Sequence, residues 1–159
     1  LQERGVPVVP FISSQTLTGD HWVGIDNRAA GATAATLMGR FVRRTGRILV
    51  IAETVQSRDS LEHRLGFDAT LWRVAPGLAV PLTVIRSVTQ PGAAVVIAHE
   101  RTPFTEQALL DGRLDALITQ DPGHLVRSAV RRMRALVDGR PTLASQEKIR
   151  IEILLPTNL

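Results

Sequence analysis

The sequence predicts an α/β chain in which parallel strands alternate with helices in a doubly wound order. Three observations predict it. Short apolar runs bounded by polar loops recur along the chain, and between most of them lie stretches with apolar residues at offsets of three and four. Only six of the 159 residues are aromatic, namely Phe11, Trp22, Phe41, Phe67, Trp72 and Phe104. The core is therefore left to Leu, Val, Ile and Ala, as in helices layered on parallel strands. The third observation is the joint Val23-Gly24-Ile25-Asp26-Asn27-Arg28-Ala29-Ala30-Gly31, an apolar strand that ends in two polar side chains at a helix start. Ligands of open α/β sheets bind at the carboxyl ends of strands, where helix N-termini offer unpaired N–H groups. That places Asn27 at a crevice, although the same residues also suit an ordinary capped helix with Asp26 or Asn27 as N-cap.

The elements follow in order. Val6 to Ile12 reads as a buried strand that ends in the polar loop Ser13-Ser14-Gln15-Thr16, with a second short strand at Trp22 to Ile25. Arg28 to Arg44 has Ala30, Ala34, Leu37, Met38 and Phe41 as the stripe of a helix lying on a sheet. Arg47 to Ala52 is an interior strand that runs out into Glu53 to Ser57. Arg58 to Trp72 is a helix with Leu61, Leu65, Ala69 and Trp72 at helical spacing, stopped by Pro76-Gly77 before a strand at Ala79 to Ile85. Then come a strand at Ala93 to Ala98, a helix at Thr102 to Gly112 with Gly at its stop, and a strand at Leu114 to Thr119. Asp121-Pro122 opens an Arg-faced helix, with Pro in its first turn and an inner stripe of Val126, Ala129, Val130, Met133 and Val137. Ile149 to Leu155 is the last strand. Only Arg86 to Ala93 breaks the rhythm, joining two strands with no helix where a parallel crossover needs about a dozen residues.

Composition narrows the function. With 44% hydrophobic and 21% charged residues the chain is globular. The absence of Cys excludes disulfides, Cys-ligated zinc and thiol catalysis. No run approaches a membrane span. The opening Leu1-Gln2-Glu3-Arg4 lacks a start Met and a signal peptide, as expected of a chain cut mid-protein. The net charge of +4 comes from 18 Arg and a single Lys, Lys148. The densest basic stretch, Arg127, Arg131, Arg132, Arg134 and Arg140, is read as a solvated helix face, because neither a groove-fitting motif nor stacking aromatics accompany it.

No nucleophile turn of the Gly-x-Ser-x-Gly type, no phosphate-binding Gly-x-x-x-x-Gly-Lys loop and no Gly-x-Gly-x-x-Gly occurs, so neither a hydrolase nor a nucleotide-dependent enzyme is expected. His99 and Glu100 with the distant His63 lack metal-site spacing, and no metal or cofactor is expected. What remains is a series of polar groups ending separate strands: Ser13 and Ser14, Asn27, Gln56 to Asp59, Glu100, and Gln120 with Asp121. Such groups can pair the donors and acceptors of a sugar-sized ligand. The pattern is one of binding more than of catalysis.

Five motifs in order carry a resemblance: Gly5-Val6-Pro7-Val8-Val9; Gly24-Ile25-Asp26-Asn27-Arg28-Ala29-Ala30-Gly31; Ser57-Arg58-Asp59 to Arg64-Leu65-Gly66-Phe67; Ala98-His99-Glu100-Arg101-Thr102-Pro103; and Leu117-Ile118-Thr119-Gln120-Asp121-Pro122. Together they resemble the effector-binding domain of lactose-repressor (LacI) family transcription regulators over nearly the whole chain, a resemblance shared with periplasmic sugar-binding proteins of ABC transporters. It implies a periplasmic-binding-protein-like type I fold, with two doubly wound lobes and three crossovers, of which the first strands and one crossover of the second lobe are not seen. Residues near 1–44 and 121–145 would form one lobe, and residues near 45–120 and 146–159 the other. The resemblance further implies a cytoplasmic homodimer that binds operator DNA through a helix-turn-helix outside these residues, with affinity set by a sugar or related effector. The periplasmic transport receptor is the second reading, and an α/β enzyme the third.

Residue by residue, the resemblance makes Asn27 a sugar-contacting amide, Glu100 the counterpart of a hydroxyl-gripping Asp, and Gln120 an amide at a crossover. Ser13 and Ser14 fall at the first strand tip, and Arg58 and Asp59 at the start of a helix. His63 stands where many members have a ligand-gripping Arg, and an imidazole lacks the guanidinium fork. The ligand is therefore expected to differ from simple aldoses. Arg86 to Ala93 stands where members have a helix, a strand and another helix. The expected reason is omitted residues, since a sheet without that crossover exposes an unpaired edge.

Overall fold

The computed structural model describes residues 4–12, 22–42, 46–51, 57–79, 94–141 and 149–159. Within them the order is α1 (Asn27–Phe41), β1 (Gly46–Arg47), α2 (Arg58–Val74), β2 (Leu78–Ala79), β3 (Ile97–His99), α3 (Pro103–Leu110), β4 (Ala116–Gln120), α4 (Pro122–Val137) and β5 (Ile151–Leu154). β1 pairs with β2, and β3 with β4, both in parallel. β4 is central in the order β3-β4-β5.

The helices begin where their caps dictate. Ser57 accepts from the Ser60 N–H at the start of α2, Thr102 and Thr105 form a reciprocal capping box on α3, and Asp121 accepts from the His124 N–H on α4, followed by Pro122. Gly112, at φ 68°, takes the left-handed position after α3.

The chain divides into two compact units, Leu1–Asp26 with Gln120–Ile151, and Asn27–Thr119 with Glu152–Leu159. It passes between them three times. The first passage lies at Asp26 rather than near residue 44, so α1 belongs with α2 and not with the opening strands. The reason is a backbone contact between these two helices. A Cβ on Gly31 would stand 1.9 Å from the His63 carbonyl oxygen, and one on Gly66 2.0 Å from the Arg28 carbonyl oxygen. Each helix contributes one glycine, and each glycine admits the backbone of the other.

That crossing also sets which faces are covered. α2 buries Gly66, Phe67, Thr70 and Leu71, while Leu61, Leu65 and Trp72 are exposed. The stripe expected from spacing is thus the outer one. In the same unit Leu109, Leu117 and Leu154 pack together with Ala98 and Leu114, closing α3 onto β4 and β5.

The other unit is built on the parallel bridges Phe11 to Val23 and Ile25 to Ile149. Its core is Val23, Leu125 and Ile149, with Val9 and Ile25 against it. Val6, Phe11 and Ile12 are exposed, so the first apolar run is not the buried strand its composition suggested. α4 is rotated in the same sense: Leu125, Ser128 and Arg132 are buried, and Val126, Val130 and Val137 face outward. Leu125 anchors the helix to Val23, which fixes the covered face at 125, 128 and 132. Arg132 fits there because its long stem is apolar. The expected strand beyond Ala79 and the interval Arg86 to Ala93 lie outside the described residues.

Candidate functional site

The first residue of α1 and the first turn of α2 meet. Asn27 is buried, and its Nδ2 donates to Asp59 Oδ1 at 3.0 Å. Asp59 can be there because Ser57 starts α2 two residues earlier and the glycine crossing draws the two helices together. One turn on, His63 Nδ1 lies 2.9 Å from the Asp59 carbonyl oxygen. His63 Nε2 is buried without a hydrogen-bond partner among the described residues.

Against His63 lies a side chain from the sheet. The His99 ring, at the end of β3, meets the His63 ring edge-on with centroids 4.8 Å apart. His99 as a residue reaches the surface, but its ring is crowded. Burial first, and then the charge of His63, push the His99 imidazole down to about 4. It is neutral at physiological pH.

The residues picked from the sequence fall into groups. Asn27, Asp59 and His63 come together. Arg58 does not join them, since its Nε pairs with Glu62 Oε1 at 3.1 Å on the exposed side of α2. Glu100 follows β3, exposed and at φ 76°, a left-handed backbone uncommon for a residue with a side chain. That conformation is held at both ends: the Glu100 N–H donates to the Ile118 carbonyl, and its own carbonyl accepts from Thr105 Oγ1 at 2.8 Å. Gln120 closes β4, half-buried, with Oε1 buried and unpaired. Ser13 and Ser14 lie outside the described residues.

Sequence reasoning weighed His99 only as a metal ligand and missed it as the companion of His63. The available signal was its place at a strand end beside Glu100. Among the described residues no three His, Asp or Glu side chains converge as metal ligands do. A groove of about 460 Å³ runs beside the C-terminal half of α2, lined by Arg64, Asp68, Trp72 and Leu78, and contains none of the expected site residues. Chemically, the cluster offers amide, carboxylate and imidazole groups, which suit hydrogen bonding to a small polar ligand.

No protein-family model matches the chain, and no curated protein matches it. Solved structures do, and the class they define is the periplasmic-binding-protein-like type I fold. Among them, GanP, a glucose-galactose binding protein from Geobacillus stearothermophilus, superposes with a TM-score of 0.84 at 15% identity, over 99% of this chain and 70% of its own. An ABC transporter solute binding protein from Burkholderia graminis, in complex with D-arabinose, gives 0.82 at 19% identity, over 99% and 69%. A periplasmic solute binding protein from Actinobacillus succinogenes with bound D-allose gives 0.79 at 10% identity, over 99% and 71%. This chain shares their architecture.

Proposed function

We propose that the chain is the ligand-binding part of a sugar-binding protein. The observation that carries the reading is the Asn27–Asp59–His63 cluster, where two helix starts present polar groups on a fold shared with receptors for glucose and galactose, D-arabinose and D-allose. In this reading the protein binds and does not turn over its ligand.

Two settings suit such a part. The solved structures support a receptor of an ABC transporter. The strings Gly24 to Gly31 and Gln120-Asp121-Pro122 support the second setting, a cytoplasmic LacI-type regulator. There a dimer would bind operator DNA through a helix-turn-helix, and the sugar would bias one conformation of the protein over another. A secretory signal encoded upstream of Leu1 would decide for the receptor, and a helix-turn-helix for the regulator.

A thermal-shift panel of pentoses, hexoses and their acids and phosphates tests the shared claim. A ligand bound only by the folded chain at about 100 times its Kd adds roughly 2.7 kcal/mol. A folded sample that shifts with no sugar would remove the proposal.

A further inference from the structure

We infer that His63 reads its ligand as a hydrogen-bond acceptor, so that the site selects uncharged polyhydroxyl compounds over their carboxylate and phosphate derivatives. The inference rests on the proposed sugar-binding function and narrows it to a ligand class.

The argument starts from the tautomer. A carbonyl oxygen only accepts, so the 2.9 Å contact between His63 Nδ1 and the Asp59 carbonyl requires the proton on Nδ1. A neutral imidazole with that proton has a bare lone pair on Nε2. Here Nε2 is buried and has no hydrogen-bond partner among the described residues, and a buried acceptor is unfavourable until a donor reaches it. The other contacts leave this polarity in place. The Asp59 carboxylate is engaged by the Asn27 amide, and the ring packed edge-on beside His63 is that of His99.

A sugar hydroxyl can rotate to donate to Nε2. An ionised carboxylate or phosphate has acceptors only, and would set lone pairs against the buried lone pair of Nε2. A guanidinium at the same position has donors only. His63 therefore inverts the polarity that Arg would give, with the His99 ring packed edge-on against it.

The test is calorimetric titration of the whole chain at pH 8 with D-galactose against D-galacturonate, D-glucose against D-glucose 6-phosphate, and D-arabinose against D-arabinonate. For every pair that binds, the neutral sugar is expected to be at least tenfold tighter. His63→Gln, which keeps an acceptor, should retain the preference, and His63→Arg should abolish or reverse it, with circular dichroism confirming that both variants fold. Nitrogen-15 NMR of the histidine rings reads the tautomer without any ligand, and should show the Nδ1–H form of His63. An anionic member binding as tightly as its parent, an unchanged preference in His63→Arg, or an Nε2–H tautomer would overturn the inference while leaving sugar binding intact. Failure of every sugar to bind, with the Nδ1–H form present, would instead remove the sugar-binding proposal and the selectivity with it.

Discussion

Asn27 ties the start of α1 to the first turn of α2, and the proposed sugar site uses the same residue. Its amide satisfies Asp59 Oδ1 within a buried contact, so Asn27→Ala should lower stability by about 1–2 kcal/mol and weaken sugar binding by more than tenfold. Urea unfolding and titration of the same sample separate the two effects, and unchanged affinity would remove Asn27 from the site. His99 makes a pH signature. Above pH 6.5, the ordinary imidazole value, His99 is neutral in the folded and unfolded chains and adds no slope. Between 6.5 and about 4 the unfolded chain binds a proton that the folded chain refuses, so stability declines as pH falls through that window. Below it both states are protonated. Urea midpoints at pH 8, 6 and 5 should fall in step, and His99→Gln should flatten that decline.

At the scale of elements, two glycines determine how α1 and α2 meet. Since a Cβ at Gly66 would stand 2.0 Å from the Arg28 carbonyl oxygen, backbone and not a flexible side chain would have to move. Gly66→Ala should therefore destabilise by about 1–3 kcal/mol or more despite its better helix propensity. Gly31→Ala relieves the same crossing, so the double variant should cost less than the sum of the single ones, which a double-mutant cycle in urea measures. Full additivity would mean that the two contacts are independent. The helix caps behave more simply. Asp121 accepts from the His124 N–H, which holds its carboxyl below the usual range, helped by the nearby Arg127 guanidinium.

At the scale of the whole molecule, the chain is two units joined by three passages, and each unit has a small core of its own. In the unit containing α1 to α3, Leu117 is fully buried between Leu109 and Leu154. Leu117→Ala should cost about 2–5 kcal/mol, read as a loss in the denaturation midpoint. The sequence by itself determined the alternation of strands and helices, the helix opened by Asp121-Pro122, and the stop at Gly112. Each of these is a local matter of hydrogen bonds and backbone angles within a few residues. It also marked Asn27 and Asp59 as candidate site residues, because strand ends and helix starts are where polar groups cannot be satisfied by regular structure, and the family resemblance added His63. Only the tertiary structure decided which helix faces are covered, exposing Leu61 and Leu65 on α2 and Val126 and Val130 on α4. Periodicity identifies a stripe, but the partner helix or strand decides which side is buried, and here backbone contact through Gly31 and Gly66 outranked the larger side chains. Tertiary structure alone also brought His99 to His63, 36 residues away in the chain, a meeting that no spacing within either motif encodes.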